Sequence, residues 1–213
     1  MKQARSLSIP TTLEEFCEPR RTALLVYDMQ VGICRQVKES AHIVERCQLT
    51  LAAARHAGMR VVFTRHLSCP REWMGTTQLR TAMAWQRTDD PENVKPWFLR
   101  GSPAFEITPE LGPRADELIL DKLSMSAFEG TPLAFALRDC DILSIAVIGI
   151  AMEIGIEPTV RHATDLGFVP IVLADACGAG HAEAGERCME TMRFVGEAVM
   201  SDVESFARAL RSR

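Results

Sequence analysis

Short apolar segments alternate along the chain with segments of helical periodicity. Five apolar segments are rich in aliphatic and β-branched residues and lack polar alternation: residues 23–27, 61–64, 118–120, 145–150 and 171–174. Strands that are apolar on both faces are typical of a parallel sheet covered by helices. The pattern therefore predicts a doubly wound α/β domain, and residues 198–200 are a candidate for a short last strand.

The segments between these strands carry helix signals. Apolar residues repeat at three and four positions from Ile43 to Leu51, and Gly58 follows as a cap before the second strand. A further helix is predicted over residues 154–166 and ends at Gly167. Residues 201–204 read Ser-Asp-Val-Glu, a capping box that begins a terminal helix.

Residues 66–117 are the exception to this alternation. The segment contains all three tryptophans, Trp73, Trp85 and Trp97, and shows little periodicity. We interpret it as a lid over a site or as an oligomer surface; a loop packed back on its own core is the other interpretation.

Length and composition narrow the class of protein. A chain of 213 residues with 47% hydrophobic residues forms one domain with a sizeable core, which excludes intrinsic disorder. The 24 basic and 28 acidic residues give a formal charge of −4 without a basic block, so nucleic acid is not an expected partner. Residues 1–20 contain no continuous apolar stretch, so we expect neither a signal peptide nor a membrane anchor.

The seven cysteines are an odd number, and no two form a Cys-x-x-Cys pair that would indicate a zinc site or a redox dithiol. We therefore expect reduced thiols and a cytoplasmic location.

Polar residues follow several of the predicted strands. Asp28 follows the first strand, and Arg65 and His66 end the second strand. Lys122 ends the third strand, and Glu153 stands at the end of the fourth. Ligands of open parallel sheets bind at the carboxyl ends of the strands, so these side chains are expected at one edge. A carboxylate, an ammonium and a helix N-terminus placed together can exchange protons and hold a developing anion.

Three motifs, which occur in the same order as in the family, resemble those of the isochorismatase-like, or cysteine hydrolase, superfamily. They are residues 24–30 (Leu-Leu-Val-Tyr-Asp-Met-Gln), Lys122 with residues 126–131 behind it, and residues 149–151 leading to a helix and then to residues 174–177. The resemblance covers about residues 20–205. It implies a Rossmann-like three-layer α/β/α sandwich with a mainly parallel sheet of five to six strands, in a homo-oligomer such as a dimer or tetramer.

The resemblance also assigns site residues. Asp28 matches the family's acid/base carboxylate, and Lys122 matches its active-site lysine. The bond between Ile150 and Ala151 matches the family's cis peptide without proline, which turns the Ala151 amide toward the site. The amide of Gly155 is expected to complete an oxyanion hole with it.

The family's nucleophilic cysteine is missing. The amidohydrolase members carry it six residues beyond the glycine that matches Gly149, and this chain has Gly155 there. Thioester chemistry needs a thiolate, which a glycine does not supply. The isochorismatase branch has a glycine at the same position and cleaves a vinyl ether, with the Asp as general acid. On this interpretation Gly155 leaves room for substrate.

Substrate contacts are less well defined, because the residues before Gly155 depart from the isochorismatase pattern. A dicarboxylate such as isochorismate needs cationic partners, for which Arg65 and Arg71 are the candidates besides Lys122. Three further candidate contacts are His66, Phe128 and Glu153; for Glu153 a role in the helix or a contact to a substrate amine are both open. The segment after the second strand lacks the spacing of the nicotinamidase metal ligands, so we predict neither a metal nor a cofactor.

The leading hypothesis is a metal-free hydrolase of a small polar metabolite that uses an isochorismatase-type mechanism without a thiol, with Asp28 as general acid/base and Lys122 as its electrostatic partner. Two alternatives remain open. The chain has either lost catalysis and binds a ligand or partner, or it is an amidohydrolase that uses water or another nucleophile.

Overall fold

The computed structural model describes residues 1–211 of the chain. Its strands are β1 (Lys2–Ala4), β2 (Leu7–Ile9), β3 (Thr22–Tyr27), β4 (Arg60–His66), β5 (Leu118–Lys122), β6 (Ser144–Ile150), β7 (Val169–Gly178) and β8 (Val199–Ser201). Its α-helices are α1 (Leu13–Phe16), α2 (Val31–Cys34), α3 (Ser40–His56), α4 (Thr76–Gln86), α5 (Leu133–Asp139), α6 (Glu157–Asp165), α7 (Ala182–Val195) and α8 (Val203–Arg211).

Six strands form one parallel sheet in the order β5-β4-β3-β6-β7-β8. The predicted α/β fold and the short last strand are thereby confirmed. The antiparallel hairpin of β1 and β2, whose residues are all exposed, was not predicted from the sequence. Because the hairpin buries no apolar face, it leaves no hydrophobic pattern in the sequence.

Helices cover both faces of the sheet. Along the buried strand β3, Leu24 and Val26 pack into one core cluster with α3 and α8. Ala23, Leu25 and Tyr27 point to the opposite cluster, with residues of α5, α6 and α7. Since side chains alternate along a strand, the apolar run of β3 supplies both layers of the core, which gives the predicted three-layer sandwich.

Residues 66–117 contain α4 and three short 3₁₀ turns, Arg71–Trp73, Pro91–Asn93 and Pro109–Leu111. The segment is held against the carboxyl ends of the strands by the buried Gln30 side chain. Its Nε2 donates to the carbonyl oxygens of His66 at 3.1 Å and Phe105 at 3.0 Å. The role of residues 66–117 in assembly as a dimer or tetramer stays a prediction.

None of the helices within residues 1–211 is both long and apolar enough to cross a membrane.

Candidate active site

A cavity of about 290 Å³ opens at the carboxyl ends of the central strands. It is lined by Tyr27, Asp28, Ile33, Gln36, Val37, His66, Trp85, Trp97, Phe98, Met125, Ile150, Ala151, Glu153, Ile154 and Gly180. The position is the one expected for a ligand site in an open parallel sheet. The tryptophan-containing segment therefore supplies one wall of the cavity.

Asp28 and Lys122 form a buried ion pair at this cavity. Lys122 Nζ lies 2.7 Å from Asp28 Oδ2, and Thr64 Oγ1 donates to Asp28 Oδ1 at 2.6 Å. Lys122 also donates to Tyr27 Oη at 2.8 Å and to the Ser124 carbonyl at 3.1 Å. These contacts use the three N–H bonds of the ammonium, and the Lys122 side chain is 0% exposed. Asp28 lines the cavity, whereas Lys122 acts behind it by holding the carboxylate.

Tyr27 is a site residue that the sequence analysis missed. Its hydroxyl accepts from Lys122 and donates to the carbonyl oxygen of Met125. Burial raises the pKa of the Tyr27 hydroxyl well above its ordinary value, and the neighbouring Asp28 carboxylate adds to the shift. The residue is the single tyrosine of the chain and directly precedes Asp28 in an otherwise aliphatic strand, which is the signal that could have identified it.

Gly155 is the reason that Tyr27 fits. A Cβ built on Gly155 would overlap Oη and Cζ of Tyr27 and lie 2.6 Å from its Cε1. The expectation that Gly155 leaves room for substrate is therefore wrong, because the phenol fills that volume. A cysteine side chain at position 155 and this conformation of Tyr27 exclude each other.

The expected oxyanion role of Gly155 also needs correction. Residues Met152–Ile156 form a π-helical turn, in which the Gly155 N–H donates to the Ala151 carbonyl at 3.0 Å. Gly155 is buried and lies outside the cavity lining. Ala151 lines the cavity, and the bond between Ile150 and Ala151 is cis, as the resemblance implied.

Three predicted substrate contacts lie elsewhere. Arg65 pairs with Asp121 at 2.8 Å and stacks on the Phe105 ring, and Arg71 contacts the Pro91 carbonyl and Glu92. Phe128 stacks on Phe168 in the core, with 5.8 Å between ring centroids. None of the three lines the cavity. Nearby partners hold these side chains, so the two arginines are not available to a carboxylate in the cavity.

His66 lies in the cavity wall, edge-on to Trp85 and Phe98. Burial lowers the pKa of its imidazole to about 4, an effect that the Asp28 carboxylate opposes and the Lys122 ammonium reinforces. The ring is therefore uncharged near neutral pH and supplies no positive charge to the site.

The lowered pKa of His66 predicts a pH-dependent stability. In the unfolded chain the imidazole takes up a proton below about pH 6.5, whereas in the folded protein it does so only near pH 4. The free energy of unfolding is therefore expected to fall between pH 6.5 and 4, by about 2 to 3 kcal/mol from this group. Urea unfolding at several pH values measures it. His66→Phe, which keeps the ring packing, should lose this component; an unchanged pH dependence would contradict the assignment.

The cysteines lie away from the cavity. All seven are free, and none belongs to its lining. Burial raises the pKa of the Cys34, Cys47 and Cys177 thiols, and it raises that of Cys188 to about 11 with help from Glu157. These shifts disfavour the thiolate, the form that attacks a substrate.

The side chains of residues 1–211 do not form the donor set of a nicotinamidase-type metal site. Within residues 1–211, no group of three or more His, Cys, Asp or Glu side chains is placed to hold a metal ion. The His66 imidazole contacts aromatic rings instead.

Known proteins resemble the chain over most of its length. Residues 22–204 match the family model described as the isochorismatase domain. The ureidoacrylate amidohydrolase RutB of Serratia proteamaculans (strain 568) is 28% identical over 224 residues, which cover 96% of this chain and 89% of that protein.

Two solved structures share the fold. A cysteine hydrolase from Pseudomonas syringae pv. phaseolicola 1448A superimposes with a TM-score of 0.78 at 27% identity, covering 92% of this chain and 94% of that one. An isochorismatase family protein from Desulfovibrio vulgaris subsp. vulgaris str. Hildenborough gives a TM-score of 0.75 at 22% identity, covering 90% and 99%.

Proposed function

The chain belongs to the isochorismatase family, and from this membership we propose that it is a hydrolase of a small polar metabolite. In this proposal it cleaves a C–N bond with a water molecule activated by Asp28, without a thiol nucleophile and without a metal. The C–N bond is suggested by the similarity to ureidoacrylate amidohydrolase.

One observation carries the proposal. The Asp28 carboxylate lines the cavity and is held by Lys122 and Thr64, while the Tyr27 phenol occupies the volume above Gly155. The carboxylate to which the resemblance assigns proton transfer lies in the cavity, and no side chain at position 155 can form a covalent intermediate. Water is then the nucleophile that the site can activate.

The proposed reaction has two steps. Asp28 takes a proton from water as the oxygen attacks the carbonyl carbon of the substrate, and the carbonyl oxygen becomes an oxyanion. Ala151 lines the cavity, and its amide is the donor that the proposal assigns to this oxyanion. The intermediate then collapses, the C–N bond breaks, and Asp28 returns the proton to the leaving nitrogen. The products are an acid and an amine.

A vinyl ether is the second candidate bond. The glycine at position 155 favours it, because the isochorismatase branch that the chain resembles has a glycine at the same position. Here Asp28 acts first as an acid and protonates the enol carbon before water adds. Isochorismate itself fits poorly, because among residues 1–211 no lysine or arginine lines the cavity to bind its carboxylates.

A substrate screen tests the proposal. Ureidoacrylate, nicotinamide, carbamoylated amines, simple amides and isochorismate are incubated with the protein, and products are identified by mass spectrometry. We expect turnover of an amide-type compound with release of ammonia or an amine. Tight binding of compounds without turnover of any would support the ligand-binding alternative and overturn the assignment as a hydrolase.

Alkylation of the thiols tests the thiol-free mechanism. Cys34 is the cysteine next to a cavity-lining segment, but it is buried and contacts Thr108 Oγ1 at 3.3 Å. We expect Cys34→Ala and treatment with iodoacetamide to leave kcat on the screened substrate unchanged. Mass spectrometry shows that the thiols were modified, and circular dichroism shows that the fold persists. Loss of kcat in a folded, alkylated protein would reveal a catalytic cysteine.

A further inference from the structure

Within residues 1–211 the cavity lining contains two carboxylates, of which only one pairs with a cation. Its titratable lining residues are Tyr27, Asp28, His66 and Glu153. Asp28 is neutralised by Lys122, and the pKa shifts of Tyr27 and His66 keep both side chains uncharged. The charge that remains is the Glu153 carboxylate.

Glu153 has one oxygen engaged and one free. Its Oε1 accepts from the His181 backbone N–H at 2.7 Å, at the point where α7 begins. Its Oε2 is buried and has no hydrogen-bond partner within residues 1–211. Because Oε2 is closed off from the cavity, Glu153 acts on a ligand through its negative charge rather than through a hydrogen bond to this oxygen.

Another part of the lining is aromatic. Trp85, Trp97 and Phe98 come from the 66–117 segment, and the Trp97 and Phe98 rings meet edge-to-face with centroids 6.3 Å apart. Tryptophan faces attract cations, most strongly where water is excluded. A carboxylate and an aromatic wall in one cavity recognise a positive charge by two independent effects.

We propose that this cavity selects substrates bearing a cationic group, an ammonium or an amidinium, which lies near the Glu153 carboxylate and packs against the tryptophans of the lining. That the bound compound is a substrate rests on the proposed function. The class of compound is a small amide or ether with a positive charge near the bond that is cleaved. Dianions are repelled, because among residues 1–211 no lysine or arginine lines the cavity.

Three probes of similar shape test this class. Benzylammonium, benzyl alcohol and benzoate share one ring and differ in charge. By isothermal titration calorimetry near pH 7, we expect benzylammonium to bind at least about 10-fold more tightly than benzyl alcohol, and benzoate to bind most weakly. Quenching of tryptophan fluorescence reports the same order from Trp85 and Trp97.

Glu153→Gln is the decisive variant, since its amide oxygen still accepts from the His181 N–H. It should lower the affinity for benzylammonium by about 10-fold and leave that for benzyl alcohol unchanged. The matched control is Glu183→Gln, which removes an equal charge from an exposed helix position outside the cavity. It should change neither affinity, because salt screens exposed charges.

Three results would overturn the inference: tighter binding of benzoate than of benzylammonium, equal losses in Glu153→Gln and Glu183→Gln, or no detectable binding of benzylammonium. Calorimetry needs no turnover, so the expected order in a protein without hydrolytic activity would support this inference and refute the proposed function. Efficient hydrolysis without a preference for cationic compounds would support the proposed function and refute this inference.

Discussion

Asp28→Asn is expected to lower kcat by about 10²- to 10⁴-fold, the usual contribution of a positioned general acid or base. Asparagine has nearly the same shape and keeps an oxygen that can accept from Thr64 Oγ1. It accepts no proton from water in the pH range of activity. Measurement of kcat and KM on the screened substrate should show the loss in kcat, because the change removes proton transfer rather than the cavity.

The same variant leaves the buried Lys122 ammonium without its counter-ion, which destabilises a protein by about 3 to 5 kcal/mol. The double variant Asp28→Asn with Lys122→Met removes both charges and should regain part of this stability in urea unfolding. It should stay inactive. Full activity in either folded variant would remove Asp28 from the mechanism, and binding of the uncharged probe benzyl alcohol shows whether the cavity is intact.

The second large effect concerns Gly155. A glycine-to-alanine change within a helical turn normally stabilises a protein by about 0.5 to 1 kcal/mol. At position 155 the opposite sign is expected, because the added Cβ overlaps the Tyr27 phenol. Overpacking of this kind costs about 1 to 3 kcal/mol. Urea unfolding should therefore show that both Gly155→Ala and Gly155→Cys are destabilised.

Tyr27 supplies the partner for a double-mutant cycle. Tyr27→Val removes the phenol, so Gly155→Cys in that background should be better tolerated than in the natural chain, with a coupling free energy of about 0.5 to 3 kcal/mol. Gly75→Ala is the control, since an added Cβ there meets nothing within 4 Å. Additive effects of the two substitutions would mean that the phenol does not fill the position of the thiol.

Tyr27 and Gly155 fit together at this position. The volume beside Gly155 is filled by the Tyr27 phenol, whose neutral hydroxyl donates to the Met125 carbonyl and accepts from Lys122. The phenol therefore occupies the space that a side chain at position 155 would need, and its hydroxyl has both a donor and an acceptor partner.

Much of the fold could be predicted from local pattern. The apolar runs that became β3, β4, β5, β6 and β7 lack polar alternation because both faces of the sheet are covered. The hairpin of β1 and β2 was not predicted, because it is exposed on both faces and so has no apolar face that would give a hydrophobic pattern. Asp28 and Lys122 were predicted together because parallel strands bring their carboxyl ends to one edge.

The sequence by itself therefore determined the α/β architecture, the position of Asp28 and Lys122 at one edge of the sheet and the absence of a thiol at position 155. Only the tertiary structure decided which side chains share the cavity. It placed Tyr27 against Gly155, Glu153 in one cavity with two tryptophans, and Arg65 beside Asp121. The physical reason is that the position of a residue at the end of a strand determines where its backbone lies. Whether its charge is neutralised, whether its side chain is buried and which atoms it would overlap depend on side chains from distant segments, which meet only in the packed protein.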